Sequence, residues 1–310
     1  TSSDAIQIRI DGDMKVGQFA LTFVDAEVPL YGFPIRLTRT YDTRQSKESL
    51  DFGYGWSVDY QNVRLRESRK LGFAWNMQQQ GGAFGQWCVK ASGSPIVTVT
   101  LPDGASEQFR AKFEPECTAL VPNVYGQLVF EPVDGRTTSK LRQTDYGEVR
   151  WTNIGGATNL IDLNDETFAP VDPRHYVLTT EDGTQYSIDQ SFGMQKIEDL
   201  AGNTVQYSEA GIVHSAGTSI QFIRDNQNRI TEVILPDARR LKYRYDANGD
   251  LVGMKNAANE ETTFTYLPST QYPHYLQDLT DARGIRVARS EYDADGRLTA
   301  TIDALGKRME

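Results

Sequence analysis

Apolar and polar residues alternate with a period of two along most of the chain. In "AIQIRI", Ile6, Ile8 and Ile10 fall on one side, with Gln7 and Arg9 on the other. "FALTFV" repeats this with Phe19, Leu21 and Phe23, and "FPIRLTRTY" sets Phe33, Ile35 and Leu37 against Arg36 and Thr38. The pattern returns in "IVTVTL" (Val97, Val99, Leu101) and "RRLKYRYD" (Leu241, Tyr243, Tyr245). Strands with one wet and one dry face predict antiparallel sheets. No stretch keeps the helical period for three turns. The best short candidate, "TRQSKESL" (Thr43 to Leu50), reads equally as a loop. The expected fold class is all-β.

One segment breaks the alternation. Thr152 to Pro173, rich in Gly, Asn, Asp and Pro, reads as a long connection between two regions. It divides the chain into an N-terminal β region, residues 1–165, and a repeat array, residues 166–310. In the array Tyr186 and Tyr207 lie 21 apart, as do Tyr245 and Tyr266, and Asp225 and Asp246. A fixed period near 20 marks stacked β-hairpins, none able to bury its apolar face alone. The piece from Leu267 to Tyr292 is irregular, with an insertion around "PSTQYPHY".

Two copies of one template, "YDANGDL" from Tyr245 and "YDADGRL" from Tyr292, raise the question of calcium. A calcium loop of the helix–loop–helix type needs Gly at its sixth position and Glu at its twelfth. Counted from Asp293, Gly296 is fourth, Leu298 is sixth and no Glu closes the loop. A hairpin turn fits: Asp246 or Asp293 accepts from the backbone two residues on, and Gly249 or Gly296 supplies a left-handed position. No metal or cofactor site is expected.

Composition narrows the function classes. With 15 Tyr and 26 Gly against 5 Met, strands and turns are favoured over helices. The formal charge of −10 argues against nucleic acid as a partner. The one basic cluster, Arg64 to Lys70, is broken by Glu67 and reads as a solvated strand face. No apolar run is long enough to span a membrane, and "TSSDAIQIRI" has no signal-peptide pattern. Cys88 and Cys117 fit no metal spacing; a disulfide and two buried thiols both remain open.

The remaining candidates for chemistry are sparse. His175, His214 and His274 are far apart, without ligand spacing, and read as surface or strand residues. The pairs Asp11/Asp13 and Asp246/Asp250 lie in turns, which lack the burial a general acid needs. "FAWNMQQQGGAFGQW" is the best candidate binding loop, in which Trp75, Phe84 and Trp87 stack on a sugar or else pack in a sheet core.

Residues 16–60 add a second motif: Gly17, Asp25, Pro29, Gly32, Pro34, Leu37, Arg39, Tyr41, Gly53, Gly55, Trp56 and Tyr60. Together with the Tyr-Asp repeats, this resembles the Rhs/YD-repeat family, which includes bacterial polymorphic toxins, the cocoon component of Tc toxins and animal teneurins. Val16 stands where that family usually has Thr, and Ala238 where it has Gly. The resemblance implies that the repeats form part of a large spiralling β-sheet shell enclosing a C-terminal effector. It implies a non-enzymatic structural segment of a longer, secreted or injected bacterial protein, whose self-cleaving core has no match in this chain. The partners would be the rest of its own polypeptide (further repeats and the effector), then secretion machinery or a cell-surface glycan. An extracellular adhesion or glycan-binding module at the cell surface is the alternative, and a free-standing hydrolase a third reading.

Overall fold

The computed structural model describes residues 8–9, 20–82, 85–101, 105–164 and 166–309. Ile6, Ile10, Asp11, Asp13, Val16, Gly17, Phe19 and Phe84 lie outside the described residues. Within them the chain is all-β, and every strand pairing is antiparallel. Helix is confined to a 3-10 turn, Thr43–Gln45, and to Asp59–Asn62. The helix candidate at Thr43 to Leu50 thus becomes one 3-10 turn followed by the short strand Ser49–Leu50.

The chain divides into two compact units. One comprises Thr1–Asp59 with Val205–Glu310, the other Tyr60–Thr204. In the first unit the strands Ala20–Val28, Ile35–Asp42 and Trp56–Val58 form a small sheet with Ile8–Arg9. In the second, Tyr125–Pro132, Ser106–Glu114 and Ile96–Thr100 are central to a six-stranded sheet that ends at Arg64–Glu67. A three-stranded sheet there joins Trp75–Gln80, Gln86–Ala91 and Cys117–Ala119. Cys88 and Cys117 face each other in register on the last two of these strands and form a disulfide. The open question about the cysteines is thereby answered by cross-strand pairing.

The long connection expected at Thr152 to Pro173 is corrected in part. Val149–Ile154 and Ala157–Asp162 form a hairpin, with Gly155 and Gly156 both at positive φ, 60° and 85°. Two such residues make the tight turn that matches strand twist, so this Gly-Gly joins strands instead of marking a loop.

The repeat strands follow chain order in both units: in the second, Lys140–Gln143 is joined by His175–Thr179, Gln185–Asp189 and Gly193–Glu198, and in the first a ladder runs from Gly211–His214 to Arg308–Met309. One turn recurs along these strands. At Asp293 the N–H donates to Arg297 O (2.9 Å) and the carbonyl accepts from Gly296 N (3.0 Å). The same pair of bonds recurs at Thr180, Asp199, His214, Asp225, Leu235, Asp246, Asn256, Asp281 and Asp303. This is a type I turn closed by a left-handed fourth residue, which bulges the strand and increases its twist. The fourth residue is usually Gly, as at Gly249 (φ 89°) and Gly296 (φ 75°). Asn228, Asn259 and Ala238 adopt the same conformation, the last with φ 65°.

Candidate functional site

In the two Tyr-Asp turns the first carboxylate is spent on the backbone. Asp293 Oδ1 accepts from Asp295 N and Arg297 N, both at 2.9 Å, and Asp246 Oδ1 accepts from Asn248 N and Asp250 N at 2.9 Å. Among the described residues no three His, Cys, Asp or Glu side chains converge on a point that could hold a metal. His214 takes the Asp place in its own turn, its Nδ1 accepting from Ala216 N at 2.9 Å. Asp250, which follows the Asp246 turn, corrects the expectation that turn carboxylates stay exposed. It is 5% exposed, and burial raises its pKa, offset in part by a 2.8 Å bond to His274 Nδ1. His274 in turn stacks on Tyr54, with centroids 3.8 Å apart.

The N-terminal motif and the repeats meet inside the first unit, around Arg39. Alternation places Leu37 and Arg39 on the same face of Ile35–Asp42, so this cation enters the core with the aliphatic residues. Its side chain is 2% exposed and holds Asp25, itself 4% exposed, through two bonds of 2.8 and 3.0 Å. Tyr243 donates a third bond to Asp25 Oδ2 at 2.9 Å. The guanidinium lies 4.6 Å from the Trp56 ring centroid, 5.0 Å from Phe23 and 5.2 Å from Phe264. Burial works against the Arg39 charge, but Asp25 more than offsets it and the pKa is raised. Burial, reinforced by Asp25, likewise raises Tyr243, which keeps its donor proton. Arg39 Nη1 has no hydrogen-bond partner among the described residues, so the ring faces serve as its counter-surface.

Around this ion pair, three strand starts in the repeat array are each held by a repeat tyrosine and, directly or through that tyrosine, by the N-terminal motif. The Ile230 N–H donates to Asp51 O at 2.7 Å, and the Ile230 carbonyl accepts from the Tyr245 hydroxyl at 2.6 Å. The Leu251 carbonyl accepts from the Tyr266 hydroxyl at 2.8 Å, and the Tyr266 hydroxyl oxygen accepts from the Trp56 indole N–H at 2.9 Å. The Leu276 N–H donates to the Tyr41 hydroxyl oxygen at 3.0 Å, while its carbonyl accepts from the Tyr292 hydroxyl at 2.8 Å. Burial raises the pKa of all four tyrosines, so each remains a donor. The motif glycines let the two chains approach. A Cβ on Gly53 would sit 2.5 Å from Gly249 O, and one on Gly55 would sit 2.8 Å from the Tyr41 ring.

The structure therefore brings together Arg39, Tyr41, Gly53, Trp56, Tyr245, Gly249 and Tyr292. Sequence reasoning missed Asp51, Tyr243 and Tyr266, and it had noted Asp25 only as a motif position. The signal for Tyr266 was its 21-residue spacing from Tyr245. The aromatic loop lies apart, in the second unit. Trp75 is 1% exposed, donates to Leu71 O at 2.7 Å and accepts from the Trp151 indole on its own carbonyl, so it has no ring face left for stacking. Trp87 is half-buried, opposite Gln79 and Thr118.

Comparisons with known proteins bear on this region. The sequence profile of a domain of unknown function, DUF6531, matches residues 13–84. A search of curated protein sequences finds no match. Among solved structures, a TcdB2–TccC3–TEV crystal structure is similar with a TM-score of 0.29 and 9% identity, covering 92% of this chain and 20% of that one. The Photorhabdus luminescens Tc holotoxin pore, with a TccC3 mutation, gives a TM-score of 0.28 and 9% identity over 96% of this chain and 21% of that one. The chain thus spans about a fifth of the length of the structures it matches.

Proposed function

We propose that this chain is a non-enzymatic structural segment of a Rhs/YD-repeat protein, in which the N-terminal motif locks the first repeats into one sheet. The observation that carries this reading is the threefold clamp: Asp51 and Tyr41 bond the strand starts that Tyr245 and Tyr292 also hold, and Trp56 bonds the Tyr266 hydroxyl that holds the third. Asp51, Tyr41, Tyr245, Tyr266 and Tyr292 spend their polar groups on backbone of the repeat strands, and Arg39, Asp25 and Tyr243 bond one another in the core, an arrangement that suits a scaffold. In the parent protein the sheet would contribute to a shell that encloses and helps deliver a C-terminal effector, secreted or injected. No helix among the described residues is long and apolar enough to cross a membrane.

The test is to lengthen the array. On this reading, further repeats of the same period joined after Arg308–Met309 pair with that strand and add apolar face for it to pack against. The melting temperature should rise with each repeat, and self-association should fall. A chain indifferent to extension would point to a self-contained module instead.

A further inference from the structure

The face of the repeat sheet opposite its aromatic core carries a cavity that the clamp does not use. On Arg240–Tyr245, Leu241 and Tyr243 are buried, while Arg240, Lys242 and Arg244 are exposed on the other face. In register across the ladder, Glu232 faces Lys242, Lys242 faces Lys255, and Lys255 faces Glu261. Two ammonium groups thus lie directly opposite each other, an arrangement that destabilises a bare sheet. The outer carboxylates are already engaged. Arg240 holds Glu232 at 2.8 Å and Arg244 holds Glu261 at 2.9 Å, leaving Lys255 3.9 Å from Glu261. Lys242 makes no hydrogen bond or ion pair among the described residues. Gly253, facing Arg244 in register, leaves the space that a side chain would fill; its Cβ would sit 2.5 Å from Glu261 Oε1. The result is a cavity of about 350 Å³ lined by Glu232, Lys242, Arg244, Lys255, Glu261 and Thr231 beside Gly253. In a chain of net charge −10, this cavity gathers three cations, Lys242, Arg244 and Lys255, around two carboxylates.

We propose that the cavity binds a sugar acid, a compact polyhydroxylated carboxylate, with Lys242 and Lys255 on its carboxylate and Glu232 and Glu261 accepting from its hydroxyls. The volume is in the range of small-ligand sites. The two glutamates decide the class. Sulfate and acidic peptide side chains bring no hydroxyl donors to them and are repelled, whereas a neutral sugar leaves the lysine pair uncompensated. This inference is independent of the clamp, which lies on the other face.

Isothermal titration of the full chain tests it, with glucuronate, glucose, sulfate and a tetra-aspartate peptide as probes. Glucuronate should bind and weaken with added salt. Glucose should bind at least about tenfold more weakly, the cost of a lost charge-assisted bond. Lys242→Gln should weaken glucuronate by a similar factor without lowering the melting temperature, because Lys242 holds nothing in the protein and its loss relieves the repulsion from Lys255. Lys307→Gln, in a turn outside the cavity, should leave binding intact. The proposal is overturned by no glucuronate binding, by sulfate or peptide binding as tightly as glucuronate, or by an inert Lys242→Gln.

Discussion

Replacing Asp25 with Asn tests whether the Arg39 cluster is a keystone. The substitution keeps the shape of the side chain but leaves a guanidinium that is 2% exposed facing a neutral amide. Breaking a buried ion pair from one side costs about 3–5 kcal/mol, because the remaining charge is stranded. Tyr243→Phe removes only the third bond to Asp25 and should cost about 1.5–3 kcal/mol, the range for a hydrogen bond to a charged group. The triple replacement Asp25→Leu, Arg39→Met, Tyr243→Phe removes charge and partners together. Its loss should stay within about 2 kcal/mol, since apolar replacements of buried pairs are often neutral and mainly the ring contacts of the cation are forfeited. Urea unfolding of the four proteins, with midpoints and slopes compared, supplies the measurement. Strong non-additivity is expected among residues in direct contact. If Asp25→Asn costs under about 1 kcal/mol, or the triple variant loses as much as Asp25→Asn does, the ion pair is not what organises this core.

Other expectations follow from single positions. Ala238→Gly should raise the melting temperature by about 2–4 °C, because Ala238 sits at φ 65° in a turn that elsewhere uses Gly or Asn; a fall would show that the turn is not strained. Gly296→Ala should cost more than about 1 kcal/mol, since its φ is 75° and a Cβ would lie 2.5 Å from the Tyr272 ring. Asp295→Asn should be neutral by the same melting assay, and adding calcium should change neither protein. Burial raises the Glu67 pKa from 4.5 to about 7, against a lowering by its hydrogen bond from Tyr176. The folded state therefore holds the proton more tightly, so this contribution is full below pH 4.5 and is lost as pH rises toward 7, by about 1–2 kcal/mol after solvent screening of the half-buried carboxylate. Stability of wild type minus Glu67→Gln, followed across that window, should fall with pH; a flat difference would refute the burial.

The turns were legible because their determinants are local. An Asp that bonds the backbone two and four residues on, with Gly at the fourth place, is written within five positions, as at Asp293 to Arg297. Period-two alternation located the strands for the same reason, since each residue's face depends only on its neighbours in sequence. Where the reading failed, the local signal was ambiguous. Gly155-Gly156 serves a loop or a two-residue hairpin equally well, and only the pairing of Trp151 with Leu160 decides between them. Asp250 gave no sign of burial, because the residue that covers it, His274, belongs to the irregular insertion.

The candidate site was less legible because its two halves differ in reach. The repeat tyrosines bond carbonyls only 15 or 16 residues earlier, so a fixed period betrays them. Trp56 finds Tyr266 across 210 residues, and Tyr41 finds Leu276 across 235. Closing the longer loops costs about 2 kcal/mol more than closing the short ones, at about 0.6 kcal/mol for each doubling of length. A single motif hydrogen bond, worth about 1 kcal/mol net, does not offset that difference. Three contacts made together, around one desolvated ion pair and its rings, do. This is a physical reason for the N-terminal motif to be dense, with Arg39, Tyr41, Asp51, Gly53, Gly55 and Trp56 inside 18 residues. The loop is closed once, and all three strand starts share the cost.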